Sequence, residues 1–379
     1  MIYIHQQTRW PAFTWNDSAL SALLAQVRHR QGRLLGRMET LGFDLRQEAS
    51  LTTLTTDVVK SSAIEGETLN RDEVRSSLAR RLGLDAGGLP PVGRHVDGIV
   101  EMMLDATQNH RAALTFDRLF GWHATLFPTG RSGMKRITVG GWRTKASGPM
   151  QVVSGAYSRQ RVHFEAPDAD RLDAEMTAFL EWFNNGPVID PVVKAGIAHL
   201  WFVTIHPFED GNGRIARAIA DLALARADNC AERFYSMSGQ IEAERKAYYD
   251  ELERQQKGDV DITGWLSWFL GCLDRALTTA DGTLSAVLAK ARLWEWISRG
   301  SVNDRQRIVI NRLMDGFEGN LNNSKYAKLA KCSADTALRD IQALVERRVL
   351  VQNPGGGRST SYRLATLDEI NDRVTWMEL

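Results

Sequence analysis

The sequence predicts a mainly α-helical protein that carries a small β-hairpin and ends in a winged helix-turn-helix. Apolar residues recur at helical spacing through most of the chain. Short β-prone runs interrupted by Gly and Ser are confined to residues 136–166 and 349–364. A polar stretch, His206-Pro-Phe-Glu-Asp-Gly-Asn-Gly-Arg-Ile-Ala-Arg217, sits as a loop between two apolar runs, Val192–Ile205 and Ile215–Ala227, both read as core helices.

Composition bounds the function classes. A chain of 379 residues is long enough for two or three domains and a large core. Hydrophobic content of 43% and charged content of 25% are those of an ordinary soluble globular protein. A net charge of +1 gives no global field toward nucleic acid or membrane. The three cysteines, Cys230, Cys272 and Cys332, are scattered without metal-ligand spacing, so no disulfide framework is expected. Residues 1–7 lack a basic segment followed by an apolar run, and no stretch reaches membrane-span length. No signal peptide and no membrane are expected, and a reducing cytoplasm is the simplest home.

The elements follow in order. Asn16 or Asp17 caps a helix over about 18–38, with Leu20, Leu23, Leu24, Val27, Leu34 and Leu35 on its apolar stripe. A second helix covers 47–62 on Leu51, Leu54, Val58 and Val59, and Gly66 suits its C-cap. Glu65 then sits at the negative end of the helix dipole. That is a poor place for a carboxylate unless a cation meets it; a solvated Glu is the plainer alternative. Asn70-Arg-Asp-Glu73 is a capping box for a helix over 71–81. The Gly/Pro-rich stretch 87–93 then breaks the chain as a linker or a loop.

Helices are predicted over 95–108 and 115–127, and a two-stranded hairpin over about 150–164. His123 lies inside the second of these helices and is taken as a core or surface histidine. Further helices are predicted over 172–184, over 240–256 with Tyr248 and Tyr249, and over 263–277. A connecting helix over 284–299 follows, then helices over 304–314, 323–330 and 334–347, the last capped by Ser333. Val349–Gln352, the glycine turn at 354–357 and Thr360–Leu364 complete a winged helix-turn-helix pattern. The domain boundaries expected are 1–90, 91–280 and 281–379.

The loop at 206–217 carries the chemistry. Gly211 and Gly213 allow close backbone approach, and a helix starting near Asn212 aims free N–H groups and its positive end at the same spot. Arg214 and Arg217, three apart, add charge-assisted bonds to phosphate oxygens. Asp210 is suited to Mg²⁺ that bridges phosphates, and His206 can take a proton near neutral pH. The set describes a nucleotide-phosphate site with a base beside it.

At every fixed position this segment resembles the active-site motif of the Fic family, His-Pro-Phe-x-Asp/Glu-Gly-Asn-Gly-Arg-x-x-Arg. Upstream, Ser61-x-x-x-Glu65-Gly66 resembles the inhibitory motif of Fic proteins that are self-inhibited from their N-terminal side (class II). The resemblance covers roughly residues 40–280 and implies transfer of AMP from ATP to a Ser, Thr or Tyr hydroxyl of a target protein or of the enzyme itself. It implies His206 as the base, Asp210 as the Mg²⁺ ligand, and Gly211, Asn212 and Gly213 as the anion cradle. Arg214 would brace phosphates or loop. Arg217 would bind the γ-phosphate when free and Glu65 when inhibited. Tyr248 and Tyr249 would lie near the base pocket, with plain packing as the alternative, and the hairpin would dock the target by main-chain pairing. Phe208 is expected to anchor the loop in the core.

Two rivals remain at this level. Glu65 could activate water to remove AMP from a modified protein. Alternatively the winged helix could make the chain a DNA-binding regulator with a nucleotide-sensing site, using Arg339, Arg347, Arg348 and Arg358 against the neighbouring Asp335, Asp340 and Glu346. An intact His206 argues for catalysis, since a sensor needs no base. Whether the chain forms a homodimer is left open.

Overall fold

Capping side chains mark where most helices begin. Asn16 accepts from the Ala19 N–H and starts α1, Asp17–Glu39; Asn70 accepts from Asp72 and Glu73 and starts α3, Arg71–Arg81. Thr115 starts α5, Phe116–Leu126, and Asp190, followed by Pro191, starts α7, Pro191–Ile205. A computed structural model describes the chain except for residue 1 and residues 85–89, 156–160, 299, 315, 316, 318, 355–359, 367, 368 and 370–379. Among the described residues the protein is mainly helical, with strands only as short antiparallel pairs. No described helix is long and apolar enough to cross a membrane.

Contacts divide the chain into two compact units, Met1–Thr283 and Leu284–Leu379. In the first, α7 is the central rod. Its residues from Val192 to Ile205 are buried on all sides apart from the half-buried Lys194, and its most extensive partner is α8, Asn212–Asp228. Gly196 lets α7 lie close to Leu266 and Phe269, where any Cβ would be within 3.0 Å of both, and the Trp265 indole donates to the Gly196 carbonyl at 2.8 Å. The helix α2, Phe43–Ile64, packs on α3 and on α9, Met237–Ala243, and also reaches α4, Arg94–Gln108, and α8.

The strands are minor in extent. Pair β1–β2, Arg131–Ser132 with Lys135–Arg136, lies beside the motif loop. Pair β3–β4, Gln151–Ser154 with Arg161–Glu165, forms the hairpin, with its register shifted between Val152 and Val153. It is followed by α6, Leu172–Asn185. Glu253 of α10, Arg245–Gln256, ties β4 to that helix through His163 (2.6 Å) and Arg161 (2.8 Å).

Three boundaries differ from expectation. Helix α2 begins at Phe43, not 47, because its first turn exposes Phe43 and has no side-chain cap to read. The stretch 240–256 is not one helix but two, α9 and α10, broken at Glu244 (φ −111°, ψ 25°), whose carboxylate is held by Gln240 and Arg275. The stop expected after Leu277 is absent: α11 runs unbroken from Thr263 to Ile297. Ala276, Ala280, Leu284 and Val287 continue its buried stripe, and Asp281, beside Gly282, is occupied by Arg33 and Arg37 at 2.7 Å each rather than capping a new helix.

The second unit holds α12, Asp304–Met314; α13, Asn323–Leu329; α14, Ala334–Glu346; and the pair β5–β6, Leu350–Gln352 with Tyr362–Leu364. Its core gathers Ile297, Val309, Ile310, Tyr326, Ile341 and Leu344. Of the residues considered for DNA, Arg347 turns inward to the carbonyls of Ile297 (2.6 Å) and Ser301, Asp340 pairs with Arg305 at 2.8 Å, and Arg339 is exposed. Arg358 and the glycines at 355–357 lie outside the described residues.

Candidate active site

The site is built where α7 stops. His206, its C-cap, sits in the left-handed region (φ 52°, ψ 57°), an uncommon place for a non-glycine residue. Its Nδ1 lies 3.2 Å from the Val203 carbonyl. A carbonyl only accepts, so Nδ1 carries the proton and Nε2 is left as the acceptor. Burial pushes the imidazole pKa down to about 4, so the ring is neutral at pH 7.

The loop then reverses onto α8. Gly211 takes φ 82°, and a Cβ there would stand 2.9 Å from the Phe127 ring, so both conformation and space call for glycine. Asn212 is buried and closes the loop on itself: its Oδ1 accepts from the Phe208 N–H (2.9 Å) and its Nδ2 donates to the Phe208 carbonyl (2.8 Å). Phe208 is fully buried, as expected of an anchor. Asp210 accepts from the Gly211 N–H at 2.6 Å and from the Ser132 hydroxyl.

The first two turns of α8 carry two buried guanidinium groups. Arg217 donates from Nε to the Ser61 hydroxyl (2.9 Å) and from Nη2 to the Ser61 carbonyl (2.8 Å), and Nη2 lies 2.9 Å from Glu65 Oε1. Burial works against its charge, yet Glu65 together with Tyr248 and Tyr249 outweighs burial and holds the guanidinium pKa above its ordinary value. Arg214 packs over the Phe127 ring at 5.3 Å and pairs with Glu67 at 3.0 Å. Arg217 Nη1 and Arg214 Nε are buried without an acceptor among the described residues, two donors left over for an anion. At the amino end of α8, the position a Cβ of Gly213 would take lies 2.1 Å from Glu65 Oε1. The Glu65 carboxylate therefore sits against the backbone at the helix terminus that attracts anions.

The α2 end that supplies Glu65 terminates through Gly66 (φ 84°), with Gly66 N–H donating to Ala63 O and Glu67 N–H to Ser62 O, both at 3.0 Å. The Tyr249 hydroxyl donates to the carbonyl of Ile64, the last residue of α2, at 3.3 Å. Tyr248 is fully buried, with its hydroxyl 2.9 Å from His199 Nε2. The structure thus brings Ser61, Glu65, Gly66, Arg217 and Tyr249 together at the end of α2, and sets His206, Asp210, Gly211, Asn212, Gly213 and Arg214 around the loop.

Comparison with known proteins identifies the domain that holds the loop. The family model described as "Fic/DOC family" matches residues 113–224, which contain the whole loop and both arginines. The chain contains a Fic/DOC family domain. A second model, described as a domain of unknown function (DUF4172), matches residues 3–84 upstream of the Fic domain. The protein is 26% identical over 227 residues to "Protein adenylyltransferase Fic" of Aedes aegypti, covering 58% of this chain and 40% of that protein. The protein of the same name from Culex quinquefasciatus is 27% identical over the same extent. The matched stretch thus spans 40% of the length of those curated relatives. A crystal structure of a Fic family protein from Desulfovibrio desulfuricans G20 shares the fold at TM-score 0.51 and 21% identity, covering 92% of this chain and 96% of that one.

Three residues brace the Fic site without having been singled out from sequence. His123 stacks on Phe208 (4.1 Å, 6°), and its Nε2 meets the Asp210 carbonyl at 3.2 Å. Burial lowers its pKa to about 4, so it is neutral. It is a core histidine, as expected, and packs behind the loop. Arg143 donates to the His206 carbonyl (2.8 Å) and to Pro167 O, and its own N–H donates to Pro207 O (2.9 Å). Glu67 holds Arg214 with one oxygen and His95 with the other. Its legible signal was a second carboxylate placed immediately after the Gly66 cap.

Asp210 is the residue suited to a divalent cation. Among the described residues no cluster of three or more His, Cys, Asp or Glu could cage one. A lone carboxylate beside a phosphate cradle fits Mg²⁺, which is commonly held by one or two carboxylates plus substrate phosphates.

Proposed function

We propose that the Fic domain transfers AMP from ATP to a protein hydroxyl and that the structure is the inhibited state, with Glu65 in the place of an anionic ligand. One observation carries this: a neutral, half-buried histidine, the amino end of α8 and two buried arginines meet at one loop, and the Glu65 carboxylate sits on Arg217 and against the Gly213 backbone there. The name protein adenylyltransferase, borne by the relatives above, supports the choice of reaction.

His206 Nε2 takes the proton of the attacking hydroxyl. The hydroxyl oxygen forms the bond to the α-phosphorus, and the bond from that phosphorus to the bridging oxygen breaks with its electron pair leaving on pyrophosphate. The backbone of 211–213, Arg214 and Arg217 hold the phosphates and meet the charge that builds on them. Asp210 would hold Mg²⁺, which neutralises phosphate charge. The target segment pairs along the β3–β4 hairpin, whose exposed Val153 and Val162 offer an apolar face. The setting is a cytoplasm, in keeping with three cysteines present as thiols.

The test is transfer of label from α-labelled ATP with Mg²⁺ to the enzyme and to lysate proteins. Wild type is expected to label weakly, Glu65→Gly strongly, and Glu65→Gly/His206→Ala not at all. Silence from Glu65→Gly with ATP, CTP, GTP and UTP alike overturns nucleotidyl transfer.

A further inference from the structure

We propose that Glu67 is a second inhibitory carboxylate, which occupies Arg214 as Glu65 occupies Arg217. The proposal rests on the nucleotide-binding reading of the Fic site. The two acids flank Gly66, whose left-handed conformation ends α2, and both side chains reach α8. The two ion pairs are alike in length, 2.9 Å for Glu65 and 3.0 Å for Glu67.

An exposed ion pair would carry little weight, but this one is lopsided. The Glu67 side chain is 33% exposed while that of Arg214 is 7% exposed and lies over the Phe127 ring. A phosphate that takes the Arg214 terminal nitrogen as well as its unpaired Nε must therefore displace the carboxylate already on that nitrogen. Displacement does not strand Glu67, because His95 of α4 already holds its other oxygen. The carboxylate has one partner in the site and one outside it, which is the arrangement of a latch that can swing open.

The two latches hold different arginines. Arg214 is in the first turn of α8, next to the cradle of residues 211–213; Arg217 is one turn further along. Glu67 competes at Arg214, whereas Glu65 competes both at Arg217 and at the Gly213 backbone.

Calorimetric titration of the full chain with Mg-ADP and with Mg-ATP tests both. Glu67→Ala and Glu67→Gln are expected to tighten both ADP and ATP about three- to tenfold with Glu65 in place, and Glu65→Gly to tighten ATP at least as much. The double variant Glu65→Gly/Glu67→Ala should bind ATP more tightly than either single variant. Thermal melts of the Glu67 variants check that the fold is kept, and the Gln variant preserves side-chain size. If both Glu67 variants bind ADP like wild type, or more weakly, while Glu65→Gly still tightens ATP, the second latch is wrong and the nucleotide site stands. If no variant binds either nucleotide, the underlying reading falls, and the latch with it.

Discussion

Arg143 braces the turn that carries the proposed base, His206, through backbone carbonyls alone. Its guanidinium is buried at the carboxyl end of α7, where the last carbonyls of the helix and of the loop take the place of an acidic partner. Burial lowers its pKa to about 10, which leaves it charged at pH 7. The bonds it makes hold the left-handed turn at His206, so the base is set by a side chain 63 residues upstream. Arg143→Gln, in a Glu65→Gly background, is expected to lower kcat about ten- to a hundredfold with little change in KM for ATP, because misplacing a base costs rate more than affinity. Steady-state transfer kinetics read this, with a thermal melt beside them, because partial unfolding would also lower apparent kcat at unchanged KM; a melt like that of the parent with kcat unchanged would overturn the positioning role.

The proposed inhibition belongs to the end of an element. Helix α2 delivers Ser61, Glu65 and Glu67 to α8 only because it stops at Gly66. No atom stands within 4 Å of where a Cβ at Gly66 would be, so Gly66→Ala meets no clash and pays only for φ 84°, about 1 kcal/mol. The expected outcome is a slightly lower melting temperature together with a higher basal rate of AMP labelling, since the same strain loosens both carboxylates. A fall in melting temperature with basal labelling unchanged would show that the cap serves stability alone. Asn212→Ala, in contrast, removes the side chain that clasps the Phe208 backbone at both its polar groups, and should lose labelling even when Glu65 is replaced by Gly.

Within the first unit, burial lowers the pKa of four histidines, His5, His123, His199 and His206. Those of His123 and His206 fall to about 4 and that of His199 to about 3, from 6.5. Each binds a proton less tightly folded than unfolded. Between about pH 6.5 and 4 protons therefore favour the unfolded chain, and stability rises with pH through that window. Asp221 works the other way: burial and the neighbouring Asp57 raise its pKa, so it favours the fold at lower pH. It is one group against four histidines. Urea midpoints are expected to fall as the pH drops from 7 to about 4.5, and His199→Gln, which keeps a polar partner for Tyr248, should flatten the decline. A midpoint unchanged across that window would mean that the histidines are not held neutral.

The helical class, most helix starts and the loop at 206–217 were legible in sequence because each is local. Caps such as Asn70 and Asp190 act on N–H groups two or three residues away. The loop announces itself through residue types at fixed spacing, and Glu65 through an unfavourable place on its own helix. Tertiary structure alone decided the rest. The break at Glu244 and the continuity of α11 past Leu277 depend on Arg275 and on Arg33 and Arg37, all remote in sequence. Arg143, His123 and Glu67 joined the site through partners 63, 87 and 147 residues away. Sequence determined which groups could do chemistry, because local spacing sets faces and caps. Only the packed chain decided which arginine meets which acid, because a buried charge takes whatever partner the fold brings within hydrogen-bonding distance.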